Sequence, residues 1–177
     1  MKARVIVTMD CNRKCENCCN KEEVFEQHEV LNNIDELLAY DEILITGGEP
    51  MLIPMKVHNF IQLLREKKGY KGRIYLYTAL YDKYLYGFYR DILNLINGLH
   101  FTIHFEASDK EIIQLKQLSE SSLPLDDRSC RLAIDSRLYD KYDFSNINFS
   151  AWSVVRKLKW LLNCPLPVDE KLFVYHL

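Results

Sequence analysis

Arg4-Val5-Ile6-Val7-Thr8-Met9 runs directly into Cys11-Asn12-Arg13-Lys14-Cys15-Glu16-Asn17-Cys18, and the fold turns on that junction. The first stretch is short and β-branched, which reads as a buried strand. Similar apolar runs recur at Glu42 to Thr46, Arg73 to Thr78, Leu99 to Phe105 and Arg131 to Ser136. Helical patterns separate them. Asn33 caps Ile34, Leu37 and Leu38, with Glu36 three residues on. Val57, Phe60, Ile61 and Leu64 keep i, i+3, i+4, i+7 spacing, and Leu85, Phe88, Tyr89, Ile92 and Ile96 repeat it. Ser108-Asp109-Lys110-Glu111 reads as a capping box ahead of Ile112, Leu115 and Leu118. Strands alternating with helices predict an α/β fold of parallel βα units with right-handed crossovers. Five such units, with a sixth strand at Leu172 to Tyr175, are too few to close an eight-stranded barrel. The expectation is an open or partial (βα)5-6 barrel.

The 177 residues carry 23 Lys and Arg against 25 Asp and Glu, a net charge of −2. That length holds one domain, expected over 1–177, with the βα pattern clear over 4–136 and a closing segment over 137–177. The near-neutral charge argues against broad phosphate neutralisation on nucleic acid. No apolar run reaches the roughly 18 residues of a membrane span, and Asp10 follows the first apolar run too soon for a signal peptide. The expected location is the cytoplasm.

Six cysteines would suggest disulfides if they were spread along a secreted chain. Here Cys11, Cys15, Cys18 and Cys19 crowd together while Cys130 and Cys164 stand apart. Crowding in a loop after a strand, at the carboxyl end where α/β folds keep their chemistry, points to a metal or redox site. Three thiolates with three and then two residues between them can hold three irons of a cubane and leave the fourth open. Zinc is the competing metal, but structural zinc wants four closed ligands. Adjacent Cys18 and Cys19 reach the same tetrahedron poorly, and Cys130 and Cys164 form no second pair. Cys19 reads best as a shielded thiol.

After the second strand comes Gly47-Gly48-Glu49-Pro50. Two glycines let a ligand approach the backbone, and a carboxylate beside them suits an ammonium group. This loop neighbours the cysteine loop across the same end of the sheet. Together, Cys-x3-Cys-x2-Cys after the first strand and Gly-Gly-Glu-Pro after the second resemble the radical S-adenosylmethionine (radical SAM) superfamily. The resemblance covers residues 4 to 80 by motif and the remainder by βα order. It implies a partial barrel of radical SAM type and a 4Fe-4S cluster on Cys11, Cys15 and Cys18. It also implies S-adenosylmethionine held by its amino and carboxylate groups on the open iron, with Gly47, Gly48, Glu49 and Pro50 at the amino group. One electron would then cleave the cofactor to methionine and a 5′-deoxyadenosyl radical that abstracts hydrogen from a substrate. Asn17 stands where the family usually has an aromatic residue near adenine, and Thr78 alone transfers from the family's third-strand ending.

In Leu99 to Glu106 a period of two sets Leu99, Phe101, Ile103 and Phe105 towards the helices, and His100, Thr102, His104 and Glu106 towards the other face. His104 and Glu106 are therefore candidates for contacting the cofactor ribose or the substrate, with Asp135 a similar candidate on the next strand. Seven of the 11 tyrosines lie between Tyr70 and Tyr89 and read as packing at the core and its edge. Arg156, Lys157 and Lys159 beside Leu158, Trp160 and Leu161 form a short basic amphipathic stretch, read as a solvated helix face or as a surface that docks a partner.

Three functions compete. The first is a radical SAM enzyme acting on its own substrate. The second is an activase that installs a glycyl radical on a partner enzyme, like the anaerobic ribonucleotide reductase activator. The third is a zinc-stabilised binding module without catalysis. The expected partners are an electron donor of flavodoxin or ferredoxin type and a cover for the open side of the barrel: a protein or peptide substrate, or a second copy of the chain.

Overall fold

The computed structural model describes residues 1–18, 28–160, 166–175 and 177. Cys19, Cys164 and Leu161, and with them residues 161–165 of the closing segment, lie outside the described residues. Eight strands form one all-parallel sheet that does not close: β1 (Lys2–Ile6), β2 (Glu29–Val30), β3 (Glu42–Thr46), β4 (Arg73–Thr78), β5 (Gly98–Ile103), β6 (Arg131–Asp135), β7 (Val154–Leu158) and β8 (Glu170–Val174), in the order β2-β8-β1-β3-β4-β5-β6-β7. The expected open α/β architecture holds, with two strands more than expected. One is β2, two residues long. The other is β7, which occupies part of the stretch read as a basic amphipathic helix: Arg156, Lys157 and Leu158 pair with β6. The last strand, β8, does not extend the series beyond β7. It returns to the far side of β1, pairing Arg4 with Leu172 and Ile6 with Val174.

Strands β1, β3, β4, β5, β6 and β7 advance in one direction, so right-handed crossovers place their helices on one face. These are α1 (Pro54–Gln62), α2 (Tyr86–Leu95) and α3 (Asp109–Ser119). Val57, Phe60, Ile61, Tyr89, Ile92, Leu115 and Leu118 bury one stripe of each helix against Val5, Ile45, Leu76, Phe101 and Ile134 of the sheet. The capping box at Ser108 forms as expected, with its N–H and hydroxyl both donating to Glu111 at 2.8 Å. The box at Asn33 forms too, but it opens a six-residue 3-10 helix, Ile34–Ala39. The alternate positions of the strands, Arg4, Tyr77, His100 and Arg131 among them, lie on the opposite face, away from all three helices.

At the amino end of the sheet Arg65 holds the connections together. It lies in the π turn Leu63–Lys67 that extends α1. Its guanidinium donates to the carbonyls of Leu95 (2.8 Å), Tyr70 (2.9 Å) and Gly72 (2.7 Å) and to Asn97 Oδ1 (2.9 Å). Asn97 Oδ1 also accepts from the Ile74 N–H at 2.9 Å. Replacing Arg65 by Met takes this donor from the Leu95, Tyr70 and Gly72 carbonyls, while Asn97 keeps the Ile74 N–H, and is expected to cost about 1–3 kcal/mol. Urea unfolding checks this: the midpoint should fall at unchanged slope.

Candidate functional site

The cysteine loop rises from β1 and is held by backbone first. The Val7 N–H donates to Thr46 O (3.0 Å), the Gly48 N–H to Thr8 O (2.7 Å) and the Glu49 N–H to Asp10 O (2.7 Å). The β1–β3 pairing thus continues past both strand ends into the two motif loops. The glycines are required by this contact. Gly47 sits at φ +136°, and an added Cβ would lie 2.3 Å from Thr8 O; on Gly48 it would lie 2.1 Å from Asp10 O. The close approach expected of a ligand is made by the stem of the cysteine loop itself.

Glu49 is 1% exposed and both of its oxygens are engaged. Oε1 accepts from the Met51 N–H (3.0 Å) and the Thr78 hydroxyl; Oε2 accepts from the Ala79 N–H (2.9 Å) and from Arg13 (3.4 Å). Burial pushes its carboxyl above the ordinary value, against these hydrogen bonds and the Arg13 charge, which pull it down. Glu49 also caps the 3-10 turn Pro50–Leu52, whose first position takes the proline.

Arg13, between Cys11 and Cys15, carries the contact back into the cysteine loop. Besides Glu49 it donates to Glu111 Oε1 (2.6 Å) and to the Ala79 carbonyl. Two further ties hold the loop. The Glu16 N–H donates to the Glu106 carboxylate, and the Asn17 amide donates to the Trp160 carbonyl at 3.1 Å. The Trp160 ring lies 4.9 Å from that of His104, whose imidazole burial, followed by the Arg13 charge, holds below its usual range.

Gly47, Gly48, Glu49, Pro50, Asn17, Thr78, His104 and Glu106 therefore gather around one loop, the one that carries Cys11, Cys15 and Cys18. Asp135 lies beside them: its carboxylate pairs bidentately with Arg137 (2.9 and 2.8 Å), and it feels the Trp160 backbone while its charge acts on His104. Cys130 is buried at the amino end of β6, its thiol pushed up to about 11 by burial. Phe105, expected on the helix face, lies beyond the end of β5, exposed, beneath the Arg137 guanidinium. Sequence reasoning missed Arg13, Glu111 and Trp160. Glu111 was legible as a cap residue and serves as one, while its second oxygen takes Arg13. Trp160 was assigned to the basic stretch.

Cys11 is exposed, Cys18 half-buried and Cys15 buried. Burial, then the Glu106 and Cys18 charges, pushes the Cys15 thiol up to about 11. A thiolate at that position calls for a cation to replace the proton, as an iron–sulfur cluster does. Among the described residues no three His, Cys, Asp or Glu side chains are gathered as a metal-ligand set. In number, kind and spacing the three thiols fit a 4Fe-4S cluster.

The family model for the 4Fe-4S single cluster domain matches residues 2–123, well over half of the chain. The chain belongs to that iron–sulfur family. The match runs from β1 through the cysteine loop to the end of α3. Comparison with curated proteins and comparison with solved structures each found no match. Among the described residues no helix is long and apolar enough to cross a membrane.

Gly48→Ala drives a Cβ into the Met9–Asp10 backbone and is expected to cost about 1–3 kcal/mol and most of the bound iron. Gly87→Ala, whose Cβ meets nothing within 4 Å and which lies in α2, should keep the iron and hold or slightly raise stability. Iron per chain after anaerobic reconstitution and desalting, with urea midpoints, checks the pair.

Proposed function

We propose that this single domain is a radical SAM enzyme whose cluster ligands are Cys11, Cys15 and Cys18. The observation that carries the reading is the backbone register of Gly48 and Glu49 on Thr8 and Asp10. It makes the Gly-Gly-Glu-Pro loop and the cysteine loop one rigid unit at the carboxyl end of a parallel sheet, inside an iron–sulfur family. When bound, the cluster supplies one electron that cleaves the carbon–sulfur bond of S-adenosylmethionine, giving methionine and a radical that takes hydrogen from a substrate.

The chain's own residues bind and orient. The methionine amino group would meet the Gly47 and Gly48 carbonyls, beside the cluster loop those residues support. Glu49 works one step behind: with both oxygens engaged, it fixes the loop and, through Arg13, the segment between Cys11 and Cys15. Asn17 holds Trp160 by its carbonyl, so the aromatic surface that the cysteine loop lacks comes from beyond β7. That ring, with His104 and Glu106, would receive the nucleoside. An electron donor of flavodoxin or ferredoxin type reduces the cluster at the exposed Cys11 side. A protein or peptide substrate, or a second copy of the chain, covers the open side of the sheet and excludes water.

Anaerobically reconstituted and reduced protein should convert S-adenosylmethionine to 5′-deoxyadenosine and methionine, and Cys15→Ala should lose both iron and product. A fully loaded, reduced protein that forms neither product overturns the reading.

Trp160→Ala should keep its iron while binding S-adenosylmethionine more weakly by about 1–3 kcal/mol, the range for a base stacked on an aromatic ring. Equilibrium dialysis on the loaded, unreduced protein measures it.

A further inference from the structure

The helix-free face of the sheet carries a second concentration of chemistry that the cluster loop does not use. Arg4 on β1 reaches across β3 to place its guanidinium carbon 5.2 Å from the centre of the Tyr77 ring on β4. The Tyr77 ring lies 4.2 Å from His100 on β5, which Tyr75 meets edge-on at 5.6 Å. Arg131 on β6 is the register partner of His100, and Arg156 on β7 lies opposite Ala133, two residues further along β6. His100 feels all three cations. Burial, then Arg131, Arg4 and Arg156, pushes it down to about 4, so it is neutral and adds no charge.

Only one of the three guanidiniums is paired. Arg4 meets the nearly buried Glu170 carboxylate at 2.7 Å, whereas Arg131 and Arg156 form no ion pair among the described residues. Arg131 Nε is, moreover, the one buried side-chain nitrogen or oxygen among the described residues without a hydrogen-bond partner. A buried guanidinium N–H left unpaired is costly, and native folds hold few such groups. Among the described residues, three arginines against one glutamate leave two positive charges over aromatic walls.

We infer that Arg131, Arg156 and Arg4, beside His100 and Tyr77, form a binding site for a dianionic phosphoryl group, either free phosphate or the phosphate of a monoester. A phosphoryl dianion places two charges and several acceptor oxygens on one small centre. Guanidinium forks match that geometry in bidentate contact. The anion would be held by the terminal N–H groups of Arg131 and Arg156 and leave Arg4 on Glu170. The site draws on none of the cluster ligands, so it stands whether or not the proposed radical chemistry does.

The full chain, kept anaerobic with and without its cluster, is titrated at constant ionic strength with inorganic phosphate, glycerol 2-phosphate, succinate or acetate, and thermal unfolding is followed. Both phosphates should raise the unfolding midpoint saturably, and the carboxylates should not. Tighter binding of glycerol 2-phosphate identifies a monoester ligand, and tighter binding of inorganic phosphate identifies the free ion. Arg131→Met should weaken phosphate at least tenfold, Arg131→Lys should retain part of the affinity, and Lys56→Met, distant from this face, should behave as wild type. Should Arg131→Met fold poorly, the Arg131→Lys and Arg156→Met titrations decide in the same way. No saturable phosphate response in wild type, an equal response to succinate, or undiminished affinity in the arginine variants overturns the assignment.

Discussion

A carboxylate withdrawn from water must find enough donors to replace the hydration it gives up, and Glu49 finds four. Each comes from a different place: the turn it caps, the end of β4, the residue after β4, and Arg13 in the middle of the cysteine loop. Losing any one leaves a charged group short of a partner in a nearly dry site. The motif loops, the β4 terminus and, through Arg13 and Glu111, the start of α3 are therefore fixed relative to one another by one side chain. The two glycines before it serve the same end by removing the Cβ atoms that would hold the cysteine loop away. Gly-Gly-Glu-Pro is in this sense a clamp on the first loop before it is anything to a ligand, and its four residues have separate reasons to be there.

That division of labour explains which parts of the molecule are legible from sequence. Glu42–Thr46 and Arg73–Thr78 read as strands and are strands to the residue, because each is an uninterrupted β-forming run bounded by turn residues. The capping box at Ser108 announces α3. At Asn33 the same box is present but only six residues follow before Tyr40, too few for a packed α-helix, and box chemistry alone does not tell the two apart. Arg156, Lys157 and Leu158 misled because a short mix of basic and apolar residues satisfies a helical and a strand pattern equally, and the pairing that decides comes from β6. The return of β8 to the outside of β1 is a long-range choice with no local trace.

The candidate site follows the same rule. Its motif residues and their convergence could be read, since βα order brings the carboxyl ends of β1, β3, β4 and β5 together. Arg13 could not, because a basic residue between two cysteines looks like any solvated loop position until Glu49 and Glu111 are placed beside it. Trp160 is 143 residues from Asn17, and only the curvature of the sheet makes them neighbours.

The sheet has two faces of opposite character. One is packed by the helices and is apolar except at strand ends such as Thr78, much as parallel strands normally are on both sides. The other keeps Arg4, Tyr77, His100 and Arg131 in central positions where apolar residues would be more stable. A fold selected for stability alone would fill that face with the branched side chains it uses on the other. Polar groups there must be offset by the helix-side core. Cationic side chains thus sit in the middle of the face opposite the helices, while the cysteine loop rises from the carboxyl end of the same sheet.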